Sequence, residues 1–183
     1  MTKPRLSQED WIAAGFRALA KGGPAALRAE AIARDLKTTK GSFYWHFKDL
    51  PAFKSAMLQF WAERATTTII DRLAPLSPGL PRLEALIDVA SETPEEFGGT
   101  AVEPAIRDWA RYDAEAAQLL QQADDARTAY LAQELAHIGV RDAEAARLFY
   151  AAHLGLEQLS ATQADTGRKA RYLLLNLMQS LRP

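Results

Sequence analysis

The 183 residues hold 22 lysines and arginines against 23 acids, and 48% of them are hydrophobic, the balance of a globular chain that can bury a sizeable core. The absence of cysteine excludes disulfides and thiolate chemistry. No apolar run is long enough to span a membrane, and MTKPRLSQED lacks the apolar centre of a signal peptide, so a cytoplasmic location is expected.

The near-neutral total hides an asymmetry. Residues 1–54 carry ten lysines and arginines and five acids, whereas the rest carries twelve and eighteen. A basic head on an acidic body places polyanion binding in the head.

In chain order, Ser7-x-x-Asp10 has the form of a capping box, and Ile12, Phe16 and Leu19 form one apolar stripe behind it. Gly22-Gly23-Pro24 ends that helix. A second helix is expected over 28–36, with Ala29, Ile32, Ala33 and Leu36 on its buried face. After a break at Lys37-Thr38, Thr39 can cap a third helix that runs through Phe43-Tyr44-Trp45-His46-Phe47. On that helix Phe43 and Phe47 share one face. Lys40, Ser42, Tyr44, Trp45 and His46 are left for other faces, where donors and cations suit phosphate and rings lie against sugars and thymine methyls. Two short helices about a tight turn have the layout of a helix-turn-helix.

Asp49 caps a long fourth helix with Pro51 in its first turn. Its apolar stripe runs from Phe53, Met57, Phe60 and Trp61 to Ala65, Ile69, Ile70 and Leu73, long enough to tie head to body rigidly. PLSPGLP (75–81) breaks the chain. A helix with Leu83, Leu86, Ile87 and Ala90 in register follows, then a loop over 91–100. The next helix carries Val102, Ile106, Trp109 and Ala110. Another is expected from about 113 to 138, ended by Gly139. Asp142 caps a helix with Ala145, Leu148, Phe149, Ala152, Leu156 and Leu159 turned inward. Gly155 sits mid-helix there, at a cost of about 1 kcal/mol against alanine, which implies a close helix contact. A loop over 161–167 precedes a last helix too apolar all round for one small core. No strand signal is present, so the expected class is all-α.

Ile32-Ala33-x-x-Leu36 and Thr39-Lys40-Gly41-Ser42-Phe43-Tyr44-Trp45-His46-Phe47 resemble the DNA-binding head of the TetR family of bacterial transcriptional repressors. The likeness spans about Ser7 to Phe53. It implies a homodimer of helical subunits, each with a helix-turn-helix head (1–48) and a larger ligand-binding and dimerisation body (49–183). Carried over by that match, Arg28, Thr39, Lys40, Ser42, Tyr44, Trp45, His46 and Lys48 are the DNA-facing residues of a double-stranded operator contact. The last two helices would pair between subunits through Leu148, Ala152, Gly155, Leu156, Leu159, Leu174, Leu177, Met178 and Leu181. A small-molecule effector would meet Trp61, Phe97, Trp109, Tyr112, Tyr130, Phe149 and His153 in the body.

Several positions depart from the family pattern, among them Thr38 in place of an apolar residue and Leu27-Arg28 in place of a Thr or Ser cap. Lys37 stands where glycine is favoured in the turn, Glu30 places an acid near the DNA side, and Leu50 replaces a lysine that often meets phosphate. No P-loop, dinucleotide glycine pattern or nucleophile elbow is present, and His153 with Glu157, at i,i+4, lacks a further metal ligand nearby in sequence. No catalysis, cofactor or metal is expected. The expected function is a ligand-responsive repressor released from a palindromic operator. The alternative is a helical ligand-binding or interaction protein whose DNA binding is weakened or lost.

Overall fold

The computed structural model describes residues 6–90, 95–159 and 164–180, and all regular structure among them is helical. Helix α1 (Gln8–Gly22) opens on the expected capping box: the Ser7 hydroxyl accepts from the Asp10 N–H at 3.2 Å, and the Asp10 carboxylate accepts from the Ser7 N–H at 2.7 Å. The bond from the Ser7 backbone is the main reason that the Asp10 carboxyl is held below its usual range.

Helices α2 (Ala29–Asp35) and α3 (Lys40–Phe43) flank the turn. Lys37 lies there at φ 52°, the one non-glycine with positive φ among the described residues. Left-handed backbone crowds a Cβ against the carbonyl, so the glycine preference at this position is steric. Lys37→Gly is expected to raise stability by about 1 kcal/mol, read as a higher urea midpoint at unchanged slope. An equal or lower midpoint would show that the turn absorbs the strain.

Helix α3 ends at Phe43, short of the expected helix that runs through Phe47. After Phe43 the chain tightens: the Trp45 N–H donates to the Ser42 carbonyl at 3.3 Å and the His46 N–H to the Phe43 carbonyl at 3.0 Å. Such i to i+3 bonds wind the last turn more narrowly, yet Phe47 still reaches the buried side.

Helix α4 (Leu50–Ala62) starts where Asp49 accepts from the Ala52 N–H at 2.8 Å. The long helix expected to continue to Leu73 is interrupted by a π-turn over Glu63–Thr67 before α5 (Thr68–Leu73). Arg127 Nε donates to the Ala65 carbonyl inside that turn at 3.1 Å.

The remaining helices are α6 (Leu80–Val89), α7 (Val102–Ala110), α8 (Ala114–His137), α9 (Ala143–Leu159) and α10 (Ala164–Gln179), with short 3₁₀ turns at Glu95–Phe97 and Gly99–Ala101. Asp113 caps α8 by accepting from Ala116, and Asp142 accepts from the Glu144 N–H at the start of α9. The last helix begins at Ala164, inside the stretch expected to be loop. No helix among the described residues is long and apolar enough to cross a membrane.

The chain divides into two compact units, residues 1–61 with 94–120 and residues 62–93 with 121–183. In the first unit Trp11, Phe43, Phe53 and Met57 are fully buried. Gly15 makes room for two of them: a Cβ there would lie 2.6 Å from the tip of Phe53 and 2.5 Å from the Met57 sulfur. Helix α7 also packs on α1. The core of the second unit joins Leu83, Ile87, Leu131, Leu135, Phe149, Leu175 and Met178.

Candidate nucleic-acid interface

Helix α3 is anchored from below by rings. Phe43 sits 5.5 Å edge-on from Trp11 and 5.3 Å from Phe53, and Phe47 lies 4.9 Å from Phe53. Edge-to-face pairs of this kind add to the burial of each ring. Trp11 was not singled out by the sequence pattern; it stands one residue before the α1 stripe that the periodicity marks.

With two rings held inside, the rest of the segment faces outward. Arg28, Thr39, Lys40, Tyr44 and Lys48 are exposed, and Trp45 is 81% exposed. Trp45 therefore does not pack beside a neighbouring helix. Ser42 and His46 are half-buried; the Ser42 N–H donates to the Thr39 hydroxyl at 3.3 Å, and the imidazole of His46 lies 6.2 Å from the Trp11 ring. All eight predicted DNA-facing residues belong to one segment of the first unit.

Across the turn, Lys40 Nζ meets Glu30 Oε1 at 2.5 Å, with both side chains about half exposed. The hydrogen bond to Lys40 holds the Glu30 carboxyl below its usual range, and the same bond pushes the Lys40 ammonium up. Both groups are charged at neutral pH. Glu30 and Lys40 lie on different helices across the turn, so no periodicity within one element signals the pairing.

The predicted effector residues fall in both units. Trp61 and Trp109 are buried and Phe97 half-buried in the first, where Lys54 lies 5.6 Å from the Trp109 ring centre and Phe97 stacks on Phe60 at 5.4 Å. Tyr112 is 82% exposed with Arg111 over its ring, so it lines no enclosed cavity in the chain. In the second unit Phe149 is core, Tyr130 is half-buried, and His153 stacks on Tyr150 at 6.2 Å. Burial, then the Glu134 carboxylate, push the Tyr130 phenol up.

Tyr150 belongs to a polar chain that the sequence did not reveal: its hydroxyl donates to Asp124 at 2.6 Å and accepts from Arg127 at 2.7 Å. Asp124 and Tyr150 also line an open groove of about 680 Å³ with Gln121, Thr128, Arg147 and Leu154. None of the predicted effector residues lines it. His153 Nε2 and Glu157 are 3.7 Å apart, and no group of three metal-ligating side chains occurs among the described residues. Thr66 Oγ1 and the Tyr130 hydroxyl are buried without a hydrogen bond in the protein.

Of the residues expected between subunits, Leu148, Gly155, Leu159 and Leu177 are exposed, and Ala152, Leu156 and Leu174 are half-buried. Met178 is instead part of the chain's own core, because α10 turns it toward the same side as Leu175. Leu181 lies outside the described residues. Leu173, not among those expected, is exposed as well.

Residues 12–49 match the family model for bacterial regulatory proteins, tetR family. No curated protein matches the sequence. Among solved structures, the fold is similar to a Saccharomonospora viridis transcriptional regulator in complex with choline (TM-score 0.77, 19% identity, 92% of this chain and 95% of that one). It is also similar to a TetR-family regulator from Rhodococcus sp. (TM-score 0.71, 20% identity, 96% and 98%) and to Salmonella enterica GusR (TM-score 0.71, 19% identity, 99% and 97%).

Proposed function

We propose that this chain, which belongs to the TetR family of bacterial transcriptional regulators, is a homodimeric repressor that a small molecule releases from a palindromic operator. Residues 1–48 would form the DNA-binding domain and residues 49–183 the effector and dimer domain, acting in the cytoplasm and by binding rather than catalysis. One observation carries the DNA reading. Two buried rings, Phe43 and Phe47, hold the segment after the turn so that Lys40, Tyr44, Trp45 and Lys48 are exposed, and Arg28 is exposed at the start of α2. Cations and phenols on such a face hold phosphates, and residues of α3 reach base edges when the helix lies in a major groove.

An effector works by preferring one head spacing over another, which shifts the population of the dimer on DNA. The unpartnered Thr66 and Tyr130 hydroxyls of the second unit support an effector with polar groups, since buried polar atoms without protein partners are where a ligand or water bonds. A second reading rests on the Glu30–Lys40 pair: with its lysine occupied, the head would have lost DNA binding and become an interaction surface.

The two readings separate in a selection of genomic fragments at two salt concentrations. The repressor reading expects one enriched inverted repeat, with affinity falling steeply with salt. Lys40→Ala with Tyr44→Ala is expected to lower operator affinity by about a hundredfold. Unchanged affinity in that variant would refute the assignment of the head.

A further inference from the structure

We infer that Glu30 and Lys40 act together as a base-pair reader, with Lys40 directed to a guanine and Glu30 to the N4 amino group of the cytosine paired with it. The inference rests on the DNA-binding reading above and deepens it. The carboxylate that looks like an obstacle to DNA becomes the group that selects the sequence.

Glu30 is in the first turn of α2 and Lys40 is the first residue of α3, so the pair bridges the two helices of the motif at its outer surface. Both side chains are about half exposed, so packing does not enclose the pair and both charged groups reach the surface. Arg28 and Tyr44 are close enough to act electrostatically on the pair, Arg28 on Glu30 and Tyr44 on Lys40. The carboxylate thus sits among cations and a phenol that face phosphate, which offsets the repulsion of an acid beside a polyanion.

The chemistry then narrows the target. A carboxylate only accepts hydrogen bonds and an ammonium only donates them. In the major groove cytosine offers a donor at N4, and guanine offers acceptors at O6 and N7. Guanine O6 and cytosine N4 are hydrogen-bonded to each other, so they lie about 2.9 Å apart. That separation resembles the 2.5 Å between Lys40 Nζ and Glu30 Oε1, so one contact pair can face both groups of one base pair. An A·T pair also sets a donor beside an acceptor. It would place adenine N7, an acceptor, next to the carboxylate and the thymine methyl next to the ammonium. Against G·C, Lys40 has two acceptors within reach and Glu30 meets only the amino group.

The test is a selection of duplexes from a randomised library by the full-length protein and by Glu30→Gln. Glu30 is exposed, so the substitution leaves folding intact, which circular dichroism checks. The wild type is expected to fix one G·C pair at a symmetric position in each half-site. Glu30→Gln is expected to lower the preference for cytosine there by about tenfold or more and to admit adenine, which glutamine recognises. Preferences elsewhere, and the salt slope, stay as they were, because no phosphate contact is removed. An enriched motif whose base preferences are the same in both proteins would overturn the inference and leave the repressor reading standing. A uniform change in affinity at every site, with no change at one base pair, would overturn it too and reduce Glu30 to a positioning role for Lys40. If the folded wild type enriches no motif, both readings fall together.

Discussion

Glu134→Ala is expected to destabilise the second unit by about 3–5 kcal/mol, the range for removing one partner of a buried ion pair. Glu134 is 0% exposed. Its carboxylate accepts from the Gly79 N–H at 2.6 Å and from Arg82 Nη1 at 3.0 Å. Arg82 in turn donates to the carbonyls of Leu76 and Ala74 at 2.9 Å. One side chain of α8 therefore organises the whole connection from α5 to α6. The close approach depends on glycine: Gly79 has φ 85°, and a Cβ there would lie 3.0 Å from Ile138 Cγ2. Alanine at 134 would strand a buried N–H and leave the guanidinium without its counter-charge, and each of those carries a desolvation cost. Glu134→Gln keeps an acceptor for Gly79 but not the charge, so it should lose distinctly less. Urea unfolding of both variants provides the check. A loss below about 1 kcal/mol for alanine would mean that water replaces the carboxylate, a smaller effect than removing a buried partner allows.

That connection marks the limit of what the sequence discloses. PLSPGLP identifies a break from composition alone, and α6 begins at Leu80 within it. Nothing local says that a glutamate 55 residues later would bond Gly79. Features that depend on neighbours in sequence were legible: the Ser7 box, the Thr39 and Asp49 caps, and the buried Phe43 and Phe47. Features made by pairing distant side chains were not. Arg127 reaches back to Ala65, inside the π-turn that divides one expected long helix into two. The head could be read because a three-helix motif concentrates its function in one contiguous segment. Candidate effector residues could not be ranked, since ring and polar types alone do not separate a core Phe149 from an exposed Tyr112.

The α9 and α10 surfaces carry the second large effect. Leu148 is 63% and Leu159 81% exposed on α9, with Leu173 60% and Leu177 55% exposed on α10. On α9 the positions Leu148, Ala152, Gly155 and Leu159 follow a four-three-four spacing, which lines up one side of a helix. A Cβ on Gly155 would meet nothing within 4 Å in its own chain. The close contact that a mid-helix glycine implies is therefore not made inside the subunit, and a second copy is the partner that would use it. Burying one exposed leucine is worth about 1.5–3 kcal/mol at most, and a two-fold interface counts every substitution twice. Leu148→Glu with Leu177→Glu would replace that gain with four buried carboxylates per dimer, which cannot all find partners. Even about 1 kcal/mol per site raises the dissociation constant roughly a thousandfold. Sedimentation equilibrium at micromolar protein should then find a dimeric wild type and a monomeric variant of equal helix content. Operator affinity should fall with it, by at least about a hundredfold, because two linked heads bind a palindrome at a high effective concentration and separate heads do not. A variant that stays dimeric would place the interface on another surface. A monomeric variant that still binds the operator at full strength would mean that one head suffices, and the steric logic of head spacing would have to be abandoned.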